Sequence, residues 1–251
     1  MQQSNTYIIV FTLIMTIFFG SVLSFTRMKL DPIQKKQIEI DTKKKILGAA
    51  MDVSSLNPDE ILSAYNDKMN SVVVDINGEI AKKSDGSDFT AEDINIMKNF
   101  KMKPSERKYP VFMFSSTGEK TEYYIFPMHG NGLWDWISGF VALDNELNRI
   151  VGVAFDHKQE TPGLGARITS DEIQNRYKGK QIFDDDNLLV SVKMLKAEKN
   201  NNLTIHQVDG MSGATITANG LNSMLMHYFE CYKPFIEKNK KEFKKILSYN
   251  E

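Results

Sequence analysis

One cysteine, Cys231, stands in a chain of 251 residues. No internal disulfide framework can form, and no multi-cysteine metal or iron–sulfur site is available. Charge is missing from the first 26 residues altogether, so all 63 Asp, Glu, Lys and Arg side chains fall in residues 27–251. The remaining balance, 31 basic against 32 acidic, gives a net charge of −1 and no basic field to gather phosphates. Nucleic-acid binding is therefore not expected. No Gly-x-Ser-x-Gly elbow and no Walker loop is present. Gly163-Leu164-Gly165 lacks the third glycine that a dinucleotide fingerprint would need at Ile168, so direct NADH binding is not expected either. The histidines, His129, His157, His206 and His227, stand far apart from one another, and no metal site is read from them. Cys231 falls off the apolar stripe of its segment and has no resolving partner, which argues against a redox role.

What the first 26 residues do contain is a continuous apolar run, Tyr7 to Phe25. Nineteen residues rise roughly 28 Å as a helix, near the ~30 Å hydrocarbon core of a bilayer. A cleaved signal peptide would have a positive n-region, a shorter apolar stretch and a small-x-small site, none of which is evident. A retained single-pass anchor is the expectation. Arg27, Lys29, Lys35 and Lys36 follow it and no basic residue precedes it, so charge alone would put the body in the cytoplasm.

The body alternates helical and strand patterns. Residues 31–51 suit a helix capped and opened by Asp31-Pro32, with Ile33, Ile40, Leu47 and Met51 at helical spacing. Asn57-Pro58-Asp59-Glu60 opens a second short helix, Ser71–Ile76 reads as a strand, and Lys82–Asp88 as a polar loop. Thr90-Ala91-Glu92-Asp93 starts a short acidic-ended helix. Three hairpins follow: 109–116 with 121–128 around Thr117-Gly118-Glu119, 137–143 with 150–155, and 188–195 with 203–208 around the loop Lys196–Asn202. Short polar turns between apolar strands argue an antiparallel or mixed sheet, and helices before, between and after it make the class α+β. The Lys-rich tail from Lys238 to Lys245 reads as a solvated helix face.

Three glycine-centred segments stand out. His129-Gly130-Asn131-Gly132-Leu133-Trp134-Asp135-Trp136 holds both tryptophans of the chain. It is either a tight turn before a strand with core tryptophans, or a place where flat side chains face a planar ligand. In Glu160-Thr161-Pro162-Gly163-Leu164-Gly165, Pro-Gly suits a type II turn that displays Leu164 between glycines. Asp209-Gly210-Met211-Ser212-Gly213-Ala214-Thr215 precedes an amphipathic helix whose apolar face is Leu221, Met224, Leu225, Tyr228, Phe229, Tyr232, Phe235 and Ile236. Small residues at that helix start serve equally as a plain cap or as an anion site.

Together these segments resemble the FMN-binding subunits of bacterial sodium-translocating NADH:quinone reductases, specifically the C subunits. The family's flavinylation motif, Asp-x-x-Ser/Thr-Gly-Ala-Thr, stands here as Asp209, Ser212, Gly213, Ala214 and Thr215, and its Gly-x-Gly-Leu-Trp and Glu-Thr-Pro-Gly-Leu-Gly segments match Gly130–Trp134 and Glu160–Gly165. The resemblance covers essentially the whole chain, anchor included. It implies FMN joined covalently to Thr215 by a phosphoester that a separate flavin transferase makes, and Asp209 as a recognition or acid–base element for the transfer. Further contacts from Thr161, Gly163, Leu164 and Gly165 and from Gly132, Leu133 and Trp134 would bracket the ring of a one-electron carrier. The implied organisation is an anchor over 1–30, a helical or mixed part over 31–100, the FMN-binding domain over 101–236 and the basic tail over 237–251. The implied partners are the other subunits of the complex in the bacterial inner membrane, with ion transport left to them. The family's flavin domain is periplasmic, opposite to the direction read from charge. The nearest alternative is the G subunit of the RNF complex, which connects NADH with ferredoxin. An anchored assembly module without a redox group is the alternative of another class.

Overall fold

In the computed structural model, residues 4–118, 120–196, 200 and 202–248 are described, the last eight by backbone alone. Glu119 of the 117–119 turn, the middle of the Lys196–Asn202 loop and the side chains of the basic tail beyond residue 240 lie outside the described residues. The chain divides into two compact units, Met1–Lys43 and Lys44–Glu251.

The first helix, α1, runs from Asn5 to Ala50 without interruption. Its N-terminal part is long and apolar enough to cross a membrane. There the hydroxyls of Thr12, Thr16 and Thr26 each donate to the carbonyl four residues earlier at 2.8 Å, which removes their polarity from an apolar surface. The helix start expected at Asp31-Pro32 is not there. Pro32 lies inside α1, where it removes one i→i−4 bond, and Asp31 pairs instead with Lys35 at 2.6 Å. A long helix absorbs one missing bond because its neighbours on both sides remain hydrogen-bonded.

In the second unit, Ile46, Leu47 and Ala49 at the end of α1 are buried. Asn57 caps α2 (Pro58–Lys68) as the sequence suggested, accepting from the amides of Asp59 and Glu60 while the Glu60 side chain takes the Asn57 amide. Five strands follow: β1 (Met69–Val74), β2 (Tyr109–Phe114), β3 (Tyr123–Asn131), β4 (Trp136–Asp144) and β5 (Ile150–His157). They pair in sequence order and are antiparallel throughout. The acidic segment at Thr90 forms only a single turn of 3-10 helix, Ala91–Asp93, before the short α3 (Ile96–Phe100). Another short helix, α4 (Asp171–Asn175), follows β5.

The third expected hairpin does not form. Only β6 (Lys193–Met194) and β7 (Gln207–Val208) pair, and they are parallel. The extended run follows a turn at Asn187 and is broken at Ser191, both of which adopt left-handed backbone, with φ of 58° and 60°. The last helix, α5 (Thr215–Ser248), packs its apolar face on the sheet: Leu221, Leu225, Phe229, Tyr232 and Ile236 are fully buried, clustered with Phe126 and Met128 of β3 and Val141 of β4. One expectation about this helix is corrected and another refined. Cys231 is buried in the same cluster, since the covered face is wider than the eight-residue stripe. The first lysines of the tail are engaged as well as solvated, Lys238 making an exposed ion pair with Glu79 and Lys240 lying 3.6 Å from the Phe183 ring centroid. The class is α+β, as the pattern of elements implied.

Candidate functional site

The three glycine segments, separated by up to about eighty positions in the sequence, line one cleft. Its volume is about 270 Å³, and its walls are Leu133, Glu160, Thr161, Leu164, Gly165 and the stretch Gly213–Thr217. The first segment turns between β3 and β4, closed by the Gly132 amide donating to the Asp135 carbonyl at 2.7 Å. The second follows β5. Gly163 has φ of 76° and the Leu164 amide donates to the Thr161 carbonyl at 3.1 Å, as the Pro-Gly pair requires. The third ends where α5 begins, at Thr215.

Thr215 lies in the cleft wall, half-buried, and its hydroxyl makes no hydrogen bond among the described residues. The first bond of α5 runs from the Ala218 amide to the Ala214 carbonyl at 2.9 Å. The amides of Thr215, Ile216 and Thr217 therefore precede any i→i−4 partner, at the positive end of a long helix. Gly213 has φ of 75°, and a Cβ on it would lie 2.8 Å from Cδ2 of Leu164, so the displayed leucine rests directly on the turn before Thr215. Leu133, Trp134, Leu164 and Ile216 remain exposed around the opening. Trp134 is 66% exposed and so not a core tryptophan, whereas Trp136 is partly buried in β4, its ring 5.8 Å from that of His129. The Trp134 indole N–H donates to the Thr161 hydroxyl at 3.2 Å, linking two segments across the rim.

Not all the residues named from the motifs line the cleft. Asp209 accepts from the backbone and side-chain amides of Asn200 at 3.2 and 2.7 Å, and its own carbonyl accepts from Arg176 at 3.1 Å. Gly132, Trp134, Gly163 and Ser212 also lie outside the cleft lining, Trp134 at its rim.

Glu160 belongs to a quoted motif, yet sequence reasoning gives it no role. Only 4% exposed, it accepts from the amides of Leu133 and Trp134 at 2.8 and 3.1 Å and from the Thr217 hydroxyl at 2.5 Å. One carboxylate thus ties together all three segments. It also accounts for two of the glycines, because a Cβ on Gly132 or on Gly165 would collide with its oxygens. The signal was in the sequence: an acid between glycine turns, with a second Thr two residues past the motif. Nearby, burial lowers the affinity of the His129 ring for a proton, while the Trp136 amide and Lys158 hold Asp135 below the usual carboxylate range.

His227 and Cys231 stand four residues apart on α5, a helical ligand spacing that the reading of the histidines passed over. Sγ of Cys231 is 4.0 Å from Nε2 of His227. That nitrogen already accepts from Arg107 at 2.8 Å, and burial pushes the thiol up, toward its neutral form. Among the described residues no cluster of three His, Cys, Asp or Glu side chains is arranged around a common point.

Residues 132–229, which carry all three segments' cleft residues, match the family of FMN-binding domains. The chain is 30% identical over 253 residues to the C subunit of the Na(+)-translocating NADH-quinone reductase of Neisseria meningitidis serogroup A, covering 94% of each protein. It is 27% identical over 243 residues to the C subunit of the Pseudomonas aeruginosa reductase, covering 89% of this chain and 91% of that one. In structure it resembles the C subunit of the Parabacteroides distasonis reductase, with a TM-score of 0.70, 31% identity and coverage of 82% of this chain and 96% of the other. NqrC of Shewanella oneidensis superposes with a TM-score of 0.66 at 27% identity, covering 83% and 99%. With so much of each relative's length spanned at this identity, the chain belongs to the family of C subunits of the Na(+)-translocating NADH-quinone reductases.

Proposed function

We propose that this chain is the subunit of a membrane sodium-translocating NADH:quinone reductase that relays single electrons through FMN, held by a phosphoester on the Thr215 hydroxyl. The carrying observation is the unengaged Thr215 hydroxyl at the mouth of α5, inside the cleft of a matched FMN-binding domain. The residues present fit the group. The unpaired amides at the start of α5 suit the phosphate, and the exposed apolar rim of Leu133, Trp134 and Leu164 suits a flat ring. Bound flavin would supply the electron-carrying chemistry, since the protein side chains here have none.

The chain's own contribution is to hold the acceptor still. Glu160 fixes Thr217, two residues beyond Thr215, to the turn that carries Leu133 and Trp134. Leu164, seated over Gly213, restricts the approach to the hydroxyl from one side. Asp209 braces the segment through Asn200, which supports a role in presenting the motif to the transferase rather than in contacting the bound group. The remaining subunits of the complex are the partners, α1 is the inner-membrane anchor and the second unit lies in the periplasm. Intact mass tests the linkage. Protein made in cells with the transferase gains the mass of FMN less one water, peptide mapping puts it on Thr215, and Thr215→Ala abolishes both the gain and the flavin fluorescence. An unmodified mass in such cells overturns the proposal.

A further inference from the structure

A second cleft, of about 460 Å³, shares no lining residue with the first. Its walls include Phe100, Arg107, His129, Asn131, Ser223 and His227. The two clefts are separated where α5 presses on the end of β3, so closely that a Cβ on Gly220 would collide with the Asn131 carbonyl.

The unusual occupant of this wall is Arg107. It is only 7% exposed, yet among the described residues it forms no ion pair. Its guanidinium donates through Nε to the Met102 carbonyl at 2.8 Å, through Nη2 to the Phe100 carbonyl at 2.7 Å, and through Nη1 to Nε2 of His227 at 2.8 Å. The Phe100 ring lies 5.1 Å from its central carbon. These contacts use three of the five N–H groups and hold the plane of the fork, but they are neutral and leave the charge uncompensated. A guanidinium cannot shed its proton to escape the cost of burial, as a lysine can. The histidines do not supply the missing charge. His227 must be the neutral acceptor toward Arg107, and both burial and that cation disfavour its protonation; His129 is kept neutral by burial. The acids acting on them, Glu230 on His227 and Asp135 on His129, act from outside the cleft wall.

We infer that this cleft is a binding site for an oxyanion, a carboxylate or phosphate group held by the two remaining N–H donors of Arg107 with Ser223 and Asn131 at its edge. A planar fork fixed by carbonyls matches two oxygens of such a group side by side. The group arrives either as a free small anion or as the acidic side chain of a neighbouring subunit, and the chemistry at Arg107 is the same.

The test uses the full-length chain in detergent, with ¹⁵N-labelled histidine, titrated with acetate and separately with phosphate against sodium chloride of equal ionic strength. The ring signals of His227 and His129 shift saturably with either oxyanion and not with the salt control. Arg107→Gln removes the response. Should that variant fail to fold, Ser223→Glu, a change at an exposed position on α5, supplies a competing carboxylate and weakens the added anion's binding by about tenfold or more. In the assembled complex, signals already shifted without added anion identify a neighbouring protein's carboxylate as the source, and signals that still respond identify a free anion. Absence of any saturable shift in the isolated chain, or an undiminished shift in Ser223→Glu, overturns the assignment.

Discussion

Glu160 shows what one side chain can decide. Its buried carboxylate satisfies two backbone amides and one hydroxyl, and without it the buried Thr217 hydroxyl would lose its acceptor and the turn at Leu133 and Trp134 its tie. Glu160→Ala should therefore lower unfolding stability by about 3 kcal/mol, read by chemical denaturation. Glu160→Gln, which keeps one acceptor oxygen, should cost less. The two histidines of the second cleft give a second residue-scale expectation. Burial lowers the proton affinity of both His129 and His227 in the folded chain relative to the ordinary value near ~6.5. Protons then bind the unfolded chain first, so this contribution to stability is complete above about pH 6.5 and declines as pH falls below it. Denaturation at pH 7.5 and 5.5 should show the loss, and a His129→Gln, His227→Gln double variant should show less of it. The motif residues were legible one by one, because glycine, proline and a small-residue run announce unusual backbone. The carboxylate was not, since nothing in an isolated Glu says that three amides and hydroxyls from distant segments will converge on it.

At the scale of elements, periodicity carried the reading where one face of an element is buried. The apolar stripe of α5 was read correctly for that reason, while β1 to β5 were found as apolar runs between short polar turns. It failed where backbone exceptions intervened. Pro32 suggested a helix start but sits within α1, and the run 188–195 is apolar enough for a strand but follows a turn at Asn187 and is broken at Ser191. The contact of α5 with β3 is the joint on which both clefts depend. Gly220→Ala would drive a methyl into the Asn131 carbonyl and should cost about 2 kcal/mol, seen as a lowered Tm. Asn219→Ala, one residue away on the exposed side of the same helix, should leave the Tm nearly unchanged. Flavin loading should fall with the first substitution and persist with the second.

For the whole molecule, class and family were legible because they rest on the order of many weak signals, whereas the direction of the anchor rests on a few charges. Arg27, Lys29, Lys35 and Lys36 follow the apolar run, while the proposed function puts the second unit on the opposite face. A C-terminal fusion to a reporter that fluoresces only in the cytoplasm should stay dark, and bright cells would overturn the periplasmic assignment. The five strands pair in the order in which they are made, but the helix that covers them, and that bears Thr215, lies C-terminal to them all. A nascent chain that stalls before this helix has an uncovered sheet and, on the proposed linkage, no hydroxyl to receive the flavin. On that linkage the hydroxyl exists only once the whole sheet has been translated, and it is made just ahead of the helix face, Leu221 to Ile236, that covers the sheet.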